Sequence, residues 1–174
     1  RPTSLLFNPV NKLIYVANYG DGTVSVIDND RVINTIRVGS QPISLLFNPR
    51  NNLIYVANYG DGTVSVIDND RVINTIRVGK GPSSLLLNPR NNLIYVANYD
   101  DGTVSIFNND GVIKAIGLPS SHGFFMNPRP HSLLFNPINN LIYVSKKGDS
   151  SVSIIDNDKV IKTIRVGSQP MSLL

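Results

Sequence analysis

The sequence contains no cysteine, no tryptophan and no glutamate, and only four of its 174 residues are alanine. Without cysteine there can be neither a disulfide framework nor a thiolate metal site. Alanine and glutamate are strong helix formers, so their scarcity argues against a helical bundle and against a βαβ sheet. No apolar run is longer than five residues, far short of the roughly 20 that span a membrane.

Residues that favour turns are abundant instead: the chain has 22 asparagines, 13 glycines and 11 prolines. Its 16 lysines and arginines exceed its 12 aspartates, which gives a net charge of +4. Nucleic-acid-binding proteins concentrate such charge on one face or stripe, whereas these basic residues are scattered, so we expect no nucleic-acid partner. The chain has no initiator methionine and no signal peptide, which indicates a processed or excised piece of a longer protein.

A repeat of 40 residues dominates the sequence. Residues 44–83 match residues 4–43 at 35 of 40 positions, and residues 132–171 match them at 29 of 40. A third copy occupies residues 84–123 and follows the pattern as far as Ile116, and an irregular insertion covers residues 117–131. Such a period is typical of solenoids and propellers. We therefore expect residues 1–174 to form a single module of four repeats.

Each repeat contains four short apolar stretches separated by turn residues. In the first copy they cover residues 4–7, 13–18, 23–28 and 32–38. The separators are rich in Asn, Asp, Gly and Pro, which supply the backbone angles of tight hairpins. Each repeat is therefore predicted to form one antiparallel sheet of four strands.

The apolar pattern also predicts how the sheets are arranged. The second stretch is apolar on both sides, and the fourth carries Arg31 and Arg37, which places it at the outer edge. Sheets buried on both faces need a neighbour on each side. The sequence thus predicts an all-β fold, a β-propeller module of four blades with four antiparallel strands in each.

Three motifs recur in order in these repeats: Leu-Ile-Tyr-Val-Ala-Asn, Gly-Thr-Val-Ser-Val-Ile-Asp, and Val-Gly followed by a proline. Together they resemble the YVTN-type β-propeller repeat family over nearly the whole chain, apart from the segment after Ile116. The resemblance implies a surface-layer or secreted protein, extracellular or at the cell surface, and no shared catalytic residues. The fourth repeat departs from the family pattern, since Ser145-Lys146-Lys147 replaces Ala-Asn-Tyr.

An asparagine–tyrosine pair follows the second strand in three repeats: Asn18 with Tyr19, Asn58 with Tyr59, and Asn98 with Tyr99. In a propeller this loop lies on the same face as the connections between blades, so the pairs are candidates for a ring of ligand-binding residues. Tyrosine combines an apolar ring with a polar tip, which suits a sugar. In the alternative interpretation, the tyrosine packs on its hairpin and the asparagine binds the turn backbone.

Other polar motifs favour structural explanations. Asp28-Asn29-Asp30 and its copies supply the oxygen ligands that calcium prefers, but they lack a distal bidentate ligand, and an Asx-rich hairpin turn is the preferred interpretation. The arginines of the outer strands suit a solvated edge, with a basic rim for anionic glycans as the alternative. The histidines, His122 and His131, flank the insertion without a third ligand. We expect no bound metal and no cofactor.

The insertion carries a second copy of an inner-strand motif. The segment Phe124-Phe125-Met126-Asn127-Pro128 imitates the one that begins nine residues later at Leu133. We expect Leu133 to Phe135 to form the inner strand of the fourth blade, because this segment runs directly into the next strand. Phe124 and Phe125 would then lie in a displaced loop and are candidates for an interaction surface.

The sequence presents no catalytic arrangement. Its acid–base groups are limited to Asp, His, Lys and Tyr, no Ser–His–Asp set is visible, and near-identical repeats offer few different residues for different roles. We therefore expect no catalytic residues and a non-enzymatic structural or protein-interaction scaffold. The alternatives are a multivalent, lectin-like carbohydrate-binding propeller and a propeller enzyme such as a lactonase.

The blade boundaries coincide with those of the chain, because the first blade begins with its own inner strand and the fourth ends with its own outer strand. A four-blade arc would expose two apolar faces, which folded proteins seldom leave bare. Two arcs joined head to tail would form a closed ring with two-fold symmetry. We therefore expect self-association into a homodimeric eight-bladed ring, with a longer array or a closed monomer as alternatives and a protein or glycan as a further partner.

Overall fold

The computed structural model describes residues 1–108, 111–120 and 127–172. The regular secondary structure over these ranges is β, and it comprises sixteen strands. Within the same ranges there is no helix long and apolar enough to cross a membrane. Phe124 and Phe125, the candidate interaction loop, lie outside the described residues.

The strands form four sheets in chain order. The first contains β1 (Pro2–Asn8), β2 (Leu13–Asn18), β3 (Thr23–Asp28) and β4 (Arg31–Arg37). The second contains β5 (Pro42–Asn48), β6 (Leu53–Asn58), β7 (Thr63–Asp68) and β8 (Arg71–Arg77). The third contains β9 (Pro82–Leu87), β10 (Ile94–Asn98), β11 (Thr103–Asn108) and β12 (Gly111–Gly117). The fourth contains β13 (Pro130–Phe135), β14 (Ile142–Lys146), β15 (Ser151–Asp156) and β16 (Lys159–Arg165).

Each sheet is antiparallel, and each strand pairs with the next strand along the chain. This arrangement confirms the predicted all-β fold of four sheets with four strands each. The first strands lie side by side, β1 against β5, β5 against β9 and β9 against β13, and form the inner side of the arc. The arginine-bearing fourth strands lie at the outer edge, as the sequence predicted.

Asparagine side chains shape the turns at both ends of the sheets. In the two-residue turn between β3 and β4, Asn29 adopts a φ of 52°, a left-handed conformation that asparagine tolerates better than most residues. In the turn after β1, the side-chain oxygen of Asn8 accepts a hydrogen bond of 2.9 Å from the Val10 backbone amide. Asparagine thus shapes the first turn by its backbone conformation and the second by its side chain.

The fourth sheet shows that the segment at Leu133 forms its first strand. Strand β13 begins at Pro130 and pairs with β14, so that Leu133 lies opposite Val144 and Phe135 opposite Ile142. This pairing confirms that Leu133 to Phe135 belong to the first strand of the fourth sheet.

Every interface between consecutive sheets uses the same two surfaces. We define the front face of a blade by the positions that, in the second sheet, are Leu45, Phe47, Ile54, Val56 and Ile67. The back face is defined by the positions that, in the second sheet, are Tyr55, Ala57, Val64, Val66 and Ile76. The back face of each of the first three blades packs on the front face of the next and forms one of three apolar clusters.

The two outermost faces of the arc are only partly covered, although Val152 and Ile154 on the back face of the fourth blade are still buried. On the front face of the first blade, Leu5 and Phe7 are 72% and 58% exposed. At the leucine position in the third and fourth blades, Leu85 and Leu133 are only 9% and 8% exposed. On the back face of the fourth blade, Ile164 is 41% exposed, although the same position is buried in the other three blades.

Candidate functional site

The turns after the second strands and the connections between sheets meet at one end of the arc, which we call the loop end. Backbone hydrogen bonds join the two sets of loops. The amide of Tyr59 donates to the Gln41 carbonyl at 2.9 Å, and that of Tyr99 donates to the Gly81 carbonyl at 2.8 Å. These bonds hold each tyrosine of the asparagine–tyrosine pairs beside the connection that precedes its blade.

The asparagines of the pairs point into the blades. Asn58 and Asn98 are fully buried, and each side-chain amide donates to two hydroxyls of the third strand; for Asn58 these belong to Thr63 at 3.0 Å and Ser65 at 2.9 Å. Asn18 makes the same pair of bonds in the first blade. The amide groups therefore tie strands together, whereas the half-buried tyrosines remain at the surface.

Two of the tyrosines join a histidine in a continuous run of rings at the loop end. The ring centroids of Tyr59 and Tyr99 are 6.4 Å apart, and those of Tyr99 and His131 are 6.3 Å apart in an edge-on arrangement. The guanidinium carbon of Arg129 lies 5.7 Å from the centroid of Tyr99, within cation–π range. We call the set of Tyr59, Tyr99, Asp100, Arg129 and His131 the loop-end cluster.

A hydrogen bond joins the Asp100 carboxylate to one of the two tyrosines of the cluster. The Tyr59 hydroxyl donates a hydrogen bond of 3.2 Å to the Asp100 carboxylate. Partial burial and, after it, the hydrogen bond and charge of the Asp100 carboxylate together raise the pKa of Tyr59 to about 12. Tyr59 is therefore a neutral hydrogen-bond donor at neutral pH.

The hydrogen bonding of His131 fixes which ring nitrogen is basic. Its Nδ1 lies 2.6 Å from the backbone carbonyl oxygen of Met171. A carbonyl can only accept, so Nδ1 carries the proton, and Nε2 is left with the lone pair in the neutral ring. His131 is thus oriented as a general base.

A groove of about 550 Å³ opens beside the cluster, between the second and third blades. Its polar lining includes Tyr59, Asp61, Lys80, Asp100 and Asp101. The Asp101 carboxylate accepts a hydrogen bond of 2.6 Å from the Lys80 backbone amide, which holds one wall of the groove in place. Carboxylates and a phenol around an open groove suit a ligand rich in hydroxyl groups.

The sequence analysis named Tyr59 and Tyr99 as candidates but missed the rest of this site, because Asp100, Arg129 and His131 look like random departures from the repeat. Asp100 stands where the first two repeats have glycine, Arg129 where the second and third have glutamine and glycine, and His131 where they have isoleucine and serine. These three departures lie next to the same pair of tyrosines. Mapping departures from the repeat onto one end of the blades is the signal that would have found them.

The structure places no metal-binding cluster at the site. Among the described residues, no group of three or more His, Asp or Glu side chains is arranged to hold a metal ion.

No protein-family model matches the chain, and no curated protein matches it by sequence. Solved structures do match. Hydrazine synthase of Kuenenia stuttgartiensis superposes on 98% of this chain and on 50% of its own, with a TM-score of 0.83 at 20% identity. The periplasmic gluconolactonase of Pseudomonas aeruginosa covers 99% of this chain and 56% of its own, with a TM-score of 0.83 at 17% identity.

A third match is a catalytically inactive histidine-to-alanine variant of virginiamycin B lyase from Staphylococcus aureus, solved with quinupristin. It covers 95% of this chain and 55% of its own, with a TM-score of 0.81 at 13% identity. The chain therefore spans about half the length of the solved structures that it matches. At this level of identity the likeness establishes the fold, which is a β-propeller.

These neighbours contradict the functional expectation drawn from the sequence. We expected a non-enzymatic scaffold, with a lectin-like binder as the alternative and no catalytic residues. The propellers that share this fold include a lyase and a lactonase, so the expectation of a non-enzymatic protein is wrong. We had argued that near-identical repeats offer few different residues for different roles. However, a few departures from the repeat bring different functional groups together at one end of the arc.

Proposed function

We propose that this chain is the active-site-bearing part of a propeller enzyme that hydrolyses the lactone of a sugar acid. The observation that carries the proposal is the loop-end cluster, in which Asp100, Arg129 and His131 surround the tyrosine pair. The fold likeness to a gluconolactonase supports the class of reaction. The carboxylates of the adjoining groove, which lie there beside the cations Arg77 and Lys80, support a polyhydroxylated substrate, because carboxylates accept hydrogen bonds from hydroxyls.

The proposed chemistry uses the groups in distinct roles. His131 Nε2 takes a proton from a water molecule, and the water oxygen forms a bond to the lactone carbonyl carbon. The Arg129 guanidinium stabilises the negative charge that develops on the carbonyl oxygen. The ring C–O bond then breaks, and the departing oxygen takes the proton from the His131 imidazolium, which yields the open hydroxy acid. Tyr99 offers its ring face to the sugar, and Tyr59 and Asp100 bind hydroxyl groups.

The test is hydrolysis of glucono-1,5-lactone in a pH-stat, corrected for the spontaneous reaction. We expect turnover by the native chain and a loss of about 100-fold or more in kcat/KM for His131→Ser, in line with the usual contribution of a general base. Serine is the residue at this position in the third blade, so the variant should fold. A rate equal to the spontaneous one in the native chain would contradict the proposal.

Arg129 has a matched control on the opposite end of the arc. Arg129 and Arg90 both end an Asn-Pro-Arg turn, in which the arginine amide donates to the asparagine side chain at 2.9 and 3.0 Å respectively. Arg129→Gln should lower kcat, because it removes the charge facing the developing oxyanion. Arg90→Gln should leave kcat unchanged, and equal losses in the two variants would count against the assigned role.

We further propose that the chain belongs to the YVTN-type repeat family and acts outside the cytoplasm. The recurring Leu-Ile-Tyr-Val-Ala-Asn and Gly-Thr-Val-Ser-Val-Ile-Asp motifs support the first part. The periplasmic origin of one structural neighbour is compatible with the second. Fractionation of the source cells with an antibody against the chain tests the location.

A further inference from the structure

The linker between the second and third blades differs from the other two linkers at the position just before the proline that begins the next blade. That position is Gln41 before the second blade, Gly81 before the third and Arg129 before the fourth. All three residues adopt the left-handed conformation, with φ values of 55°, 64° and 50°. Because a glutamine and an arginine adopt the same conformation, the backbone alone does not explain why position 81 is a glycine.

Gly81 leaves free the space that the Asp100 carboxylate occupies. A Cβ atom at Gly81 would overlap Oδ2 of Asp100 and lie only 2.9 Å from its Cγ. Two backbone hydrogen bonds hold the linker in place beside this contact. The Gly81 carbonyl accepts one from the Tyr99 amide at 2.8 Å, and the Lys80 carbonyl accepts another from the Asp100 amide at 3.2 Å. A side chain at position 81 would therefore displace the carboxylate rather than the linker.

The other two linkers show the reverse arrangement. The turn position of Asp100 is Gly60 in the second blade and Gly148 in the fourth. A Cβ atom at Gly60 would lie 3.2 Å from the Gln41 side-chain oxygen, and one at Gly148 would overlap the Asn127 carbonyl oxygen. One residue of each facing pair is thus a glycine. Of these three blades, only the third carries the side chain on the turn rather than on the linker.

We propose that Gly81 is a positioning residue of the loop-end cluster, and that the Gly81–Asp100 pair makes the site selective for lactones that carry hydroxyl groups. Asp100 accepts a hydrogen bond of 3.2 Å from the Tyr59 hydroxyl and lines the adjoining groove. A carboxylate can accept several hydrogen bonds, so Asp100 also accepts one from a substrate hydroxyl. The kinetic part of this inference rests on the proposed lactone hydrolysis, whereas the structural part does not.

Exchanging the pair tests the structural part, because the second blade already contains the reverse combination. Gly81→Gln alone should lower the urea midpoint of unfolding, since the glutamine and the carboxylate compete for the same space. Adding Asp100→Gly, which reproduces the pair formed by Gln41 and Gly60, should restore most of the loss. Strictly additive shifts of the two single variants would overturn the proposed coupling.

The kinetic test compares glucono-1,5-lactone with δ-valerolactone, which has the same ring size and no hydroxyl groups. Gly81→Gln should raise KM for the sugar lactone about tenfold, as expected for the loss of a hydrogen bond to a charged group. It should leave kcat almost unchanged, because His131 and Arg129 are untouched. For δ-valerolactone, kcat/KM should stay the same. Equal losses for the two lactones would overturn the assigned selectivity.

The double variant distinguishes positioning from a merely structural role. Gly81→Gln combined with Asp100→Gly should regain stability but keep the raised KM, because it still lacks the carboxylate. Gln41→Gly, at the equivalent position of the preceding linker, is the matched control and should leave KM unchanged. A native KM in the double variant, or an equal rise in the control, would refute the proposal.

A titration without substrate keeps this inference distinguishable from the proposed function. In NMR spectra of the full chain with isotope-labelled tyrosine, Tyr59 should ionise at a lower pH in Gly81→Gln, because the displaced Asp100 carboxylate no longer raises its pKa. Asp100→Gly should show the same change, and Gln41→Gly should not. If the native chain hydrolyses no lactone but these titrations shift as stated, the proposed function is wrong and the positioning by Gly81 is right. An unchanged Tyr59 pKa in Gly81→Gln would overturn the positioning whatever the activity.

Discussion

Lys146 is fully buried at a position where the first three blades carry asparagine. Its ammonium group lies 3.2 Å from the equally buried Asp149 carboxylate and donates to the Pro119 carbonyl. Burial lowers the pKa of Lys146, and the Asp149 carboxylate opposes that shift. The fourth blade has thus exchanged a neutral hydrogen-bond network for a buried ion pair.

This exchange predicts a large asymmetry between two substitutions. Lys146→Met should lower the free energy of unfolding by about 3 kcal/mol, because it leaves a buried carboxylate without its cation. The double variant Lys146→Asn with Asp149→Asn should cost roughly 1 kcal/mol or less, because it removes both charges and the asparagine at 146 can donate to the third-strand hydroxyls as Asn98 does to Thr103 and Ser105. Urea unfolding of both variants checks this, and equal costs would show that the ion pair is not the cause.

Tyr59 predicts an alkaline dependence of stability. The folded-state pKa is about 12, against about 10 in an unfolded chain. The folded state therefore keeps a proton that the unfolded state loses, so the contribution of Tyr59 is complete below about pH 10 and declines as the pH rises to about 12. Urea unfolding should show a smaller decline over this range in Tyr59→Phe. Asp100→Asn should reduce the decline as well, and an unchanged profile in both variants would contradict the assignment.

At the scale of strands and turns, the asparagines with a positive φ are the positions where the shape of the side chain most affects stability. Asn29 has a φ of 52° and lies in the first blade, where no earlier blade of the structure donates to its carbonyl as Tyr15 does to that of Asn69. Asn29→Val should cost about 1 kcal/mol, because a β-branched side chain clashes with the backbone in that region. Asn29→Gly should cost only a few tenths. Thermal unfolding distinguishes them, and a neutral valine variant would mean that the turn changes conformation.

Much of this level of structure could be predicted from the sequence. The apolar stretches expected at residues 13–18 and 23–28 coincide with β2 and β3, because hydrophobic pattern and turn residues are local signals repeated four times. The site could not be predicted in the same way. Asp100 and His131 are 31 positions apart. Asp100 meets Tyr59 only where the third blade packs on the second, and His131 meets Tyr99 only where the fourth packs on the third.

For the whole molecule, the interblade tyrosines separate bonds between blades from bonds within one blade. Tyr95→Phe should lower the free energy of unfolding by about 1 kcal/mol, because it removes the bond to the Asn157 carbonyl of the next blade. Tyr143→Phe should cost clearly less, because the exposed Asn139 amide that donates to its hydroxyl can bond to water instead. Urea unfolding of both variants measures the difference, and equal losses would contradict the role of the interblade bond.

Because every blade completes its sheet from consecutive strands, the order of synthesis has a direct consequence for folding in the cell. The first sheet can pair all its strands once Arg37 has left the ribosome, and each later blade then covers the back face of the one before it. Until the next blade is complete, the apolar back face of the newest blade stays exposed. That face is therefore where a nascent chain would most need a chaperone.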